Sequence, residues 1–95
     1  MLVIYGEERV KLGKSASRKL RKCDNKIPSV IYGLNKPILY ISLDHHAIFN
    51  IQLNKRFYVN NIILNVSHRE YVVCVKSVQK HPFKNKLIHI DFLYK

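Results

Sequence analysis

Leu87-Ile88-His89-Ile90-Asp91-Phe92-Leu93-Tyr94 alternates with a period of two, which places Ile88, Ile90, Phe92 and Tyr94 on one face of a strand. Leu87, His89, Asp91 and Leu93 are expected on the other face. Working outward from this stretch, two further long runs rich in β-branched and aromatic residues precede it, Phe57–Val66 and Glu70–Gln79. Ser67-His68-Arg69 joins them as a hairpin. Ile38–Leu43 alternates as well, with Leu39, Ile41 and Leu43 opposite Tyr40 and Ser42, and Ser29–Tyr32 precedes it across a Gly33–Pro37 turn. Leu2-Val3-Ile4-Tyr5 is a short strand at the start of the chain.

Two helices punctuate the strands. Ser15 to about Cys23 carries an apolar stripe at Ala16, Leu20 and Cys23, with Arg18, Arg21 and Lys22 on the opposite side and Pro28 barring continuation. Asp44 is suited to cap a second helix running to about Leu53, whose broad apolar surface suggests a core plug. Six strands and two helices in 95 residues leave no room for repeated βαβ crossovers, each of which consumes about a dozen residues. The expected fold is α+β and predominantly β: a small, mostly antiparallel six-stranded β-barrel with two or more short helices, in a single domain over residues 1–95.

Charge narrows the function. Seventeen Lys and Arg face six Asp and Glu, a net charge of +11. The excess sits at the ends: +5 over residues 1–26 and +4 over residues 76–95, against +2 in the 49 residues between. Such a chain repels itself and suits a polyanionic partner, nucleic acid or an anionic membrane surface. No apolar run approaches the 18 residues needed to span a membrane, and Met1–Tyr5 is too short for a secretory core. The basic helix lacks the wide apolar face of a membrane-surface helix. Cys23 and Cys74 are solitary and distant, as expected of reduced thiols in the cytoplasm.

Possible catalytic and metal motifs are incomplete. Gly13-Lys14-Ser15 imitates the end of a P-loop, but Glu8 occupies the place of its first glycine and would repel phosphate. Asp44-His45-His46 lacks supporting metal ligands and reads as a helix cap. His89 and Asp91 share a strand face about 6–7 Å apart, without a nucleophile that the sequence pairs to them. As a binding pair they suit RNA: imidazole can stack or donate, and a carboxylate can accept from an exocyclic amine or a 2′-hydroxyl. Gln79–Lys86 interleaves lysines with Phe83 and a proline turn, a second basic segment of the kind that contacts nucleic acid.

Gly13-Lys14-Ser15-Ala16-Ser17-Arg18-Lys19-Leu20-Arg21 and Ile27-Pro28-Ser29-Val30-Ile31-Tyr32-Gly33 resemble the opening of the L-twenty-five family of bacterial ribosomal proteins. Val78-Gln79-Lys80-His81-Pro82-Phe83-Lys84 and His89-Ile90-Asp91-Phe92 resemble its closing, in the same order and in the family's short form. The sequence departs from the pattern at Ser15, where glycine is common, and at Gly33-Leu34, where Gly-Gly is frequent.

The resemblance implies a β-barrel similar to the anticodon-binding domain of glutaminyl-tRNA synthetase. It also implies a structural, non-enzymatic constituent of the large ribosomal subunit, bound to 5S ribosomal RNA at the internal loop called loop E. RNA contacts would fall on Arg9, Lys14, Ser17, Arg18, Arg21, Tyr32, Gln79, His89 and Asp91. The partners expected are 5S RNA and neighbouring ribosomal proteins and RNA, with no cofactor or metal and a monomeric free state. An accessory protein binding tRNA or mRNA is the alternative, and a nuclease using His89 and Asp91 a third reading.

Overall fold

β-branched and aromatic residues build six strands in the computed structural model, which describes residues 2–9, 25–84 and 86–95. They are β1 Leu2–Glu8, β2 Lys26–Tyr32, β3 Leu39–Asp44, β4 Ile62–Val66, β5 Arg69–Lys80 and β6 Leu87–Tyr94. Two short helices, α1 His45–Ile51 and α2 Arg56–Val59, lie between β3 and β4. The helix expected at Ser15–Cys23 falls outside the described residues, and with it Lys14, Ser17, Arg18 and Arg21.

The strands close into a barrel in the order β1-β3-β2-β6-β5-β4. Four neighbouring pairs are antiparallel, and two, β1 with β4 and β2 with β6, are parallel. The parallel partners are far apart in sequence, so the intervening elements serve as the connection and no dedicated crossover is spent. Closure leaves no unpaired sheet edge. Pro28 is tolerated in β2 because pairing with β6 begins only at Ser29. Ser67 and His68 both adopt positive φ, at 51° and 67°, the left-handed pair that a two-residue hairpin requires.

Alternation fills the interior with Ile4, Ile27, Ile31, Ile41, Leu43, Leu64, Val73, Ile90 and Phe92. One end of the barrel is stoppered by Ile48 of α1 and Phe57 of α2. At the other, the Tyr94 hydroxyl donates to Pro37 O at 3.4 Å and its ring tilts against Tyr71.

Three expectations need correction. Residues 56–59 form a helical turn instead of opening a strand, so β4 starts at Ile62. The turn buries Phe57 completely and leaves Val59 78% exposed, whereas a strand would put both on one face. The helix after Asp44 ends at Ile51, and Leu53 is exposed, so the plug is narrower than its apolar composition suggests. Leu87 points into the core and not outward with His89. The pairing runs from Gln79↔His89 to Lys80↔Leu87, which makes Ile88 the extra residue of a bulge and reverses the alternation there.

Asp44 caps α1 as expected, its Oδ2 accepting from Ala47 N at 3.2 Å. His45 is thereby turned toward β6, where its Nε2 accepts the Leu87 N–H at 3.1 Å. Burial holds the His45 pKa below its ordinary value, helped by the Lys86 charge and by His46, against a smaller opposing pull from Asp44. A protonated imidazole could not accept this bond. The unfolded chain therefore takes up the proton first as the pH falls. The stability tied to His45 is full above about pH 6.5 and is lost as pH drops through the lower folded-state value. Urea titrations between pH 8 and 5 should show His45→Gln losing less stability on acidification than the parent. Parallel curves would refute this role.

Candidate nucleic-acid interface

The outward faces of adjacent strands collect the described members of the expected site. Arg9 follows β1, and its N–H donates to Tyr40 O of β3 at 2.9 Å. Tyr40 pairs with Val30 of β2, Val30 with Asp91 of β6, and Asp91 with Ser77 of β5. Tyr32 ends β2 opposite Leu93, and Gln79 lies directly opposite His89. Arg9, Tyr32, Gln79, His89 and Asp91 thus all lie on the outer side of the wall, with Tyr32, His89, Asp91 and Gln79 on the contiguous strands β2, β6 and β5 and Arg9 joined to them across β3. Lys14, Ser17, Arg18 and Arg21 lie outside the described residues.

A β-bulge brings Gln79 to this face. Val75 pairs with Phe92 and Ser77 with Asp91, so Lys76 is an extra residue in β5. Simple alternation would carry Val73, Val75, Ser77 and Gln79 to the same side, toward the core. The extra residue reverses the pattern, so that Val78 packs against the core while Ser77 and Gln79 turn outward beside Asp91 and His89.

The bulge creates a fixed polar cluster. His89 Nδ1 stands 3.1 Å from Asp91 Oδ1, and Ser77 Oγ donates to Asp91 Oδ2 at 3.1 Å. Both members of the His–Asp pair are partly shielded, with side chains 33% and 27% exposed. Each carboxylate oxygen has two lone pairs and spends one here, so Asp91 can still accept hydrogen bonds from outside. Ser77 enters this site without any signal in simple alternation. The signal that would have revealed it is the apolar spacing, which lengthens from two residues (Tyr71, Val73, Val75) to three at Val78.

The cluster is not built for nucleophilic catalysis. The Ser77 hydroxyl donates its hydrogen bond to the carboxylate, whereas activation of a serine needs a hydrogen bond to the imidazole. Asp44 and His45 are engaged as a helix cap and a backbone acceptor. No three His, Cys, Asp or Glu side chains converge among the described residues.

The chain is strongly basic and carries a preorganised, outward-facing polar cluster on a closed barrel, and it has clear relatives among known proteins. The model of the Ribosomal L25p family matches residues 4–92. The chain belongs to the Ribosomal L25p family. It is 43% identical over 94 residues to "Large ribosomal subunit protein bL25" of Buchnera aphidicola subsp. Schizaphis graminum, covering 99% of this chain and 97% of that protein. The protein of the same name from Erwinia tasmaniensis is 46% identical over 93 residues, 98% of each chain. That of Colwellia psychrerythraea is 38% identical over 93 residues, 98% of this chain and 44% of the longer relative.

Family membership makes this a ribosomal protein, structural and not enzymatic, cytoplasmic and ribosome-associated. The match spans all six strands of the barrel at least in part, so the interface described above lies wholly within the family's own extent.

Proposed function

We propose that this L25p-family protein is a constituent of the large ribosomal subunit that binds 5S ribosomal RNA at loop E. The observation that carries the reading is the Ser77–Asp91–His89 cluster with Gln79 beside it: directional donors and acceptors, held before any ligand arrives, on a chain of net charge +11. Regular A-form RNA buries its base edges in a deep, narrow groove, so polar readout needs an irregular element. An internal loop of non-Watson–Crick pairs alters groove width and presents such edges. In this scheme Arg9, Lys14, Arg18 and Arg21 meet phosphates and Ser17 assists them. Tyr32, Gln79, His89 and Asp91 supply shape and base readout.

Titration against a 5S fragment containing loop E, and against the same fragment with that loop replaced by Watson–Crick pairs, tests the reading at two salt concentrations. Preference for loop E should persist at the higher salt. Equal affinities falling together would return the protein to a charge-driven binder of tRNA or mRNA. Arg18→Ala should reduce the slope of log affinity against log salt by about one unit, because one phosphate contact no longer releases its counterion. An unchanged slope would remove Arg18 from the phosphate contacts.

A further inference from the structure

The turn between β5 and β6 holds the most exposed large apolar side chain among the described residues: Phe83, at 94%. Exposure alone would be unremarkable on a slack loop, but the backbone on either side is tied down. His81 Nδ1 accepts from both Phe83 N and Lys84 N at 3.1 Å. His81 N donates to Lys86 O, and Lys86 N to Lys84 O, each at 2.8 Å. Pro82 fixes one more backbone angle. The His81 ring meets Phe83 edge-on, with centroids 6.4 Å apart. The phenyl ring is therefore held away from a core that lies close at hand, where Leu87 is buried.

The surroundings select the partner. Lys80 and Lys84 are exposed on either side of Phe83, and segment 80–86 contains no acidic residue. An apolar protein surface would have to desolvate both ammonium groups without compensation, and one aromatic ring is too little to anchor a membrane surface. A nucleobase between two phosphates matches both features, since every base has a face to stack and every phosphate a charge to meet. The turn also continues directly from the ladder in which Gln79 faces His89.

We propose that Phe83 is a stacking contact for an unstacked nucleobase, with Lys80 and Lys84 meeting the flanking phosphates. The inference rests on the RNA-binding reading and extends it beyond the His89–Asp91 face. The chain has no tryptophan, so Phe83→Trp gives a single tryptophan at the site, whose emission is excited selectively over the six tyrosines. Parent, Phe83→Ala and Phe83→Trp proteins are titrated with the loop E fragment, its Watson–Crick counterpart and a single-stranded oligonucleotide.

Stacking predicts that Phe83→Ala weakens binding about tenfold to at least one RNA. The salt slope should stay unchanged, because a stacked ring releases no counterion. Phe83→Trp should retain the affinity, with its emission quenched by the same RNA. Unchanged affinity of Phe83→Ala for all three overturns the proposal, whatever the emission does. Loop E preference is read separately, from the parent's ratio between the two duplexes, so either reading can fail while the other stands.

Discussion

Phe57→Ala is expected to destabilise the protein by about 3–5 kcal/mol, the usual cost of truncating a fully buried phenylalanine. Domains of this kind have only about 5–15 kcal/mol in hand. The loss comes from two sources, the transfer of a large apolar group and the cavity left behind. Relaxation would be poor here, because α2 is a single turn between a barrel end and solvent, with Ile48 as the other stopper. Urea unfolding should show a large fall in midpoint at an unchanged slope. Val59→Ala, two residues along and 78% exposed, should stay within about 0.5 kcal/mol. Comparable losses at both positions would mean that they share a face, as in a strand, and would contradict the helical turn.

Asp91→Ala is expected to cost about 1–3 kcal/mol of discrimination between the loop E fragment and its Watson–Crick counterpart. This carboxylate is an acidic group on the proposed RNA-binding face of a chain with net charge +11. Against phosphates it is unfavourable, so its contribution has to be selectivity. Its removal also takes one partner from His89 Nδ1 and the acceptor from Ser77 Oγ, so the cluster loses the contact that ties the two together. Affinity for the Watson–Crick duplex should hold or rise slightly, because one repulsive charge is gone. The two effects together would show as a collapsed ratio of dissociation constants rather than as uniformly weaker binding. A ratio equal to the parent's would show that Asp91 reads nothing. A loss equal for both RNAs would point to distortion of the barrel, which the urea midpoint of the same variant checks independently.

Much of the fold and part of the interface are legible in the residues. The strand at Leu87–Tyr94 follows from its alternation, the hairpin at Ser67-His68 from two long β-rich runs flanking a polar break, and the α1 cap from Asp44. His89 and Asp91 pair on one face because a period of two needs only the local chain. The +11 charge and its concentration at both ends point to a polyanion on composition alone.

Other features depend on contacts that no local window contains. Phe57-Tyr58-Val59 has strong β-propensity, yet the open end of the barrel demands a stopper, and a helical turn is the shape that inserts Phe57 while releasing Val59. The bulges at Lys76 and Ile88 arise where β5 and β6 must curve around a closing barrel. They turn Gln79 and Ser77 outward to meet His89 and Asp91, and Leu87 inward. In the sequence, only the family resemblance links Gln79 to that face, since strict alternation sends it the other way.

By itself, then, the sequence determined the β-rich character, the basic ends and the His89–Asp91 pair, because each depends on composition or near-neighbour spacing. Tertiary structure decided the barrel order, the two parallel joins, the Phe57 stopper and the Ser77–Asp91–Gln79 arrangement. Those follow from pairings between distant residues, where the energy of filling one closed core outweighs local preference.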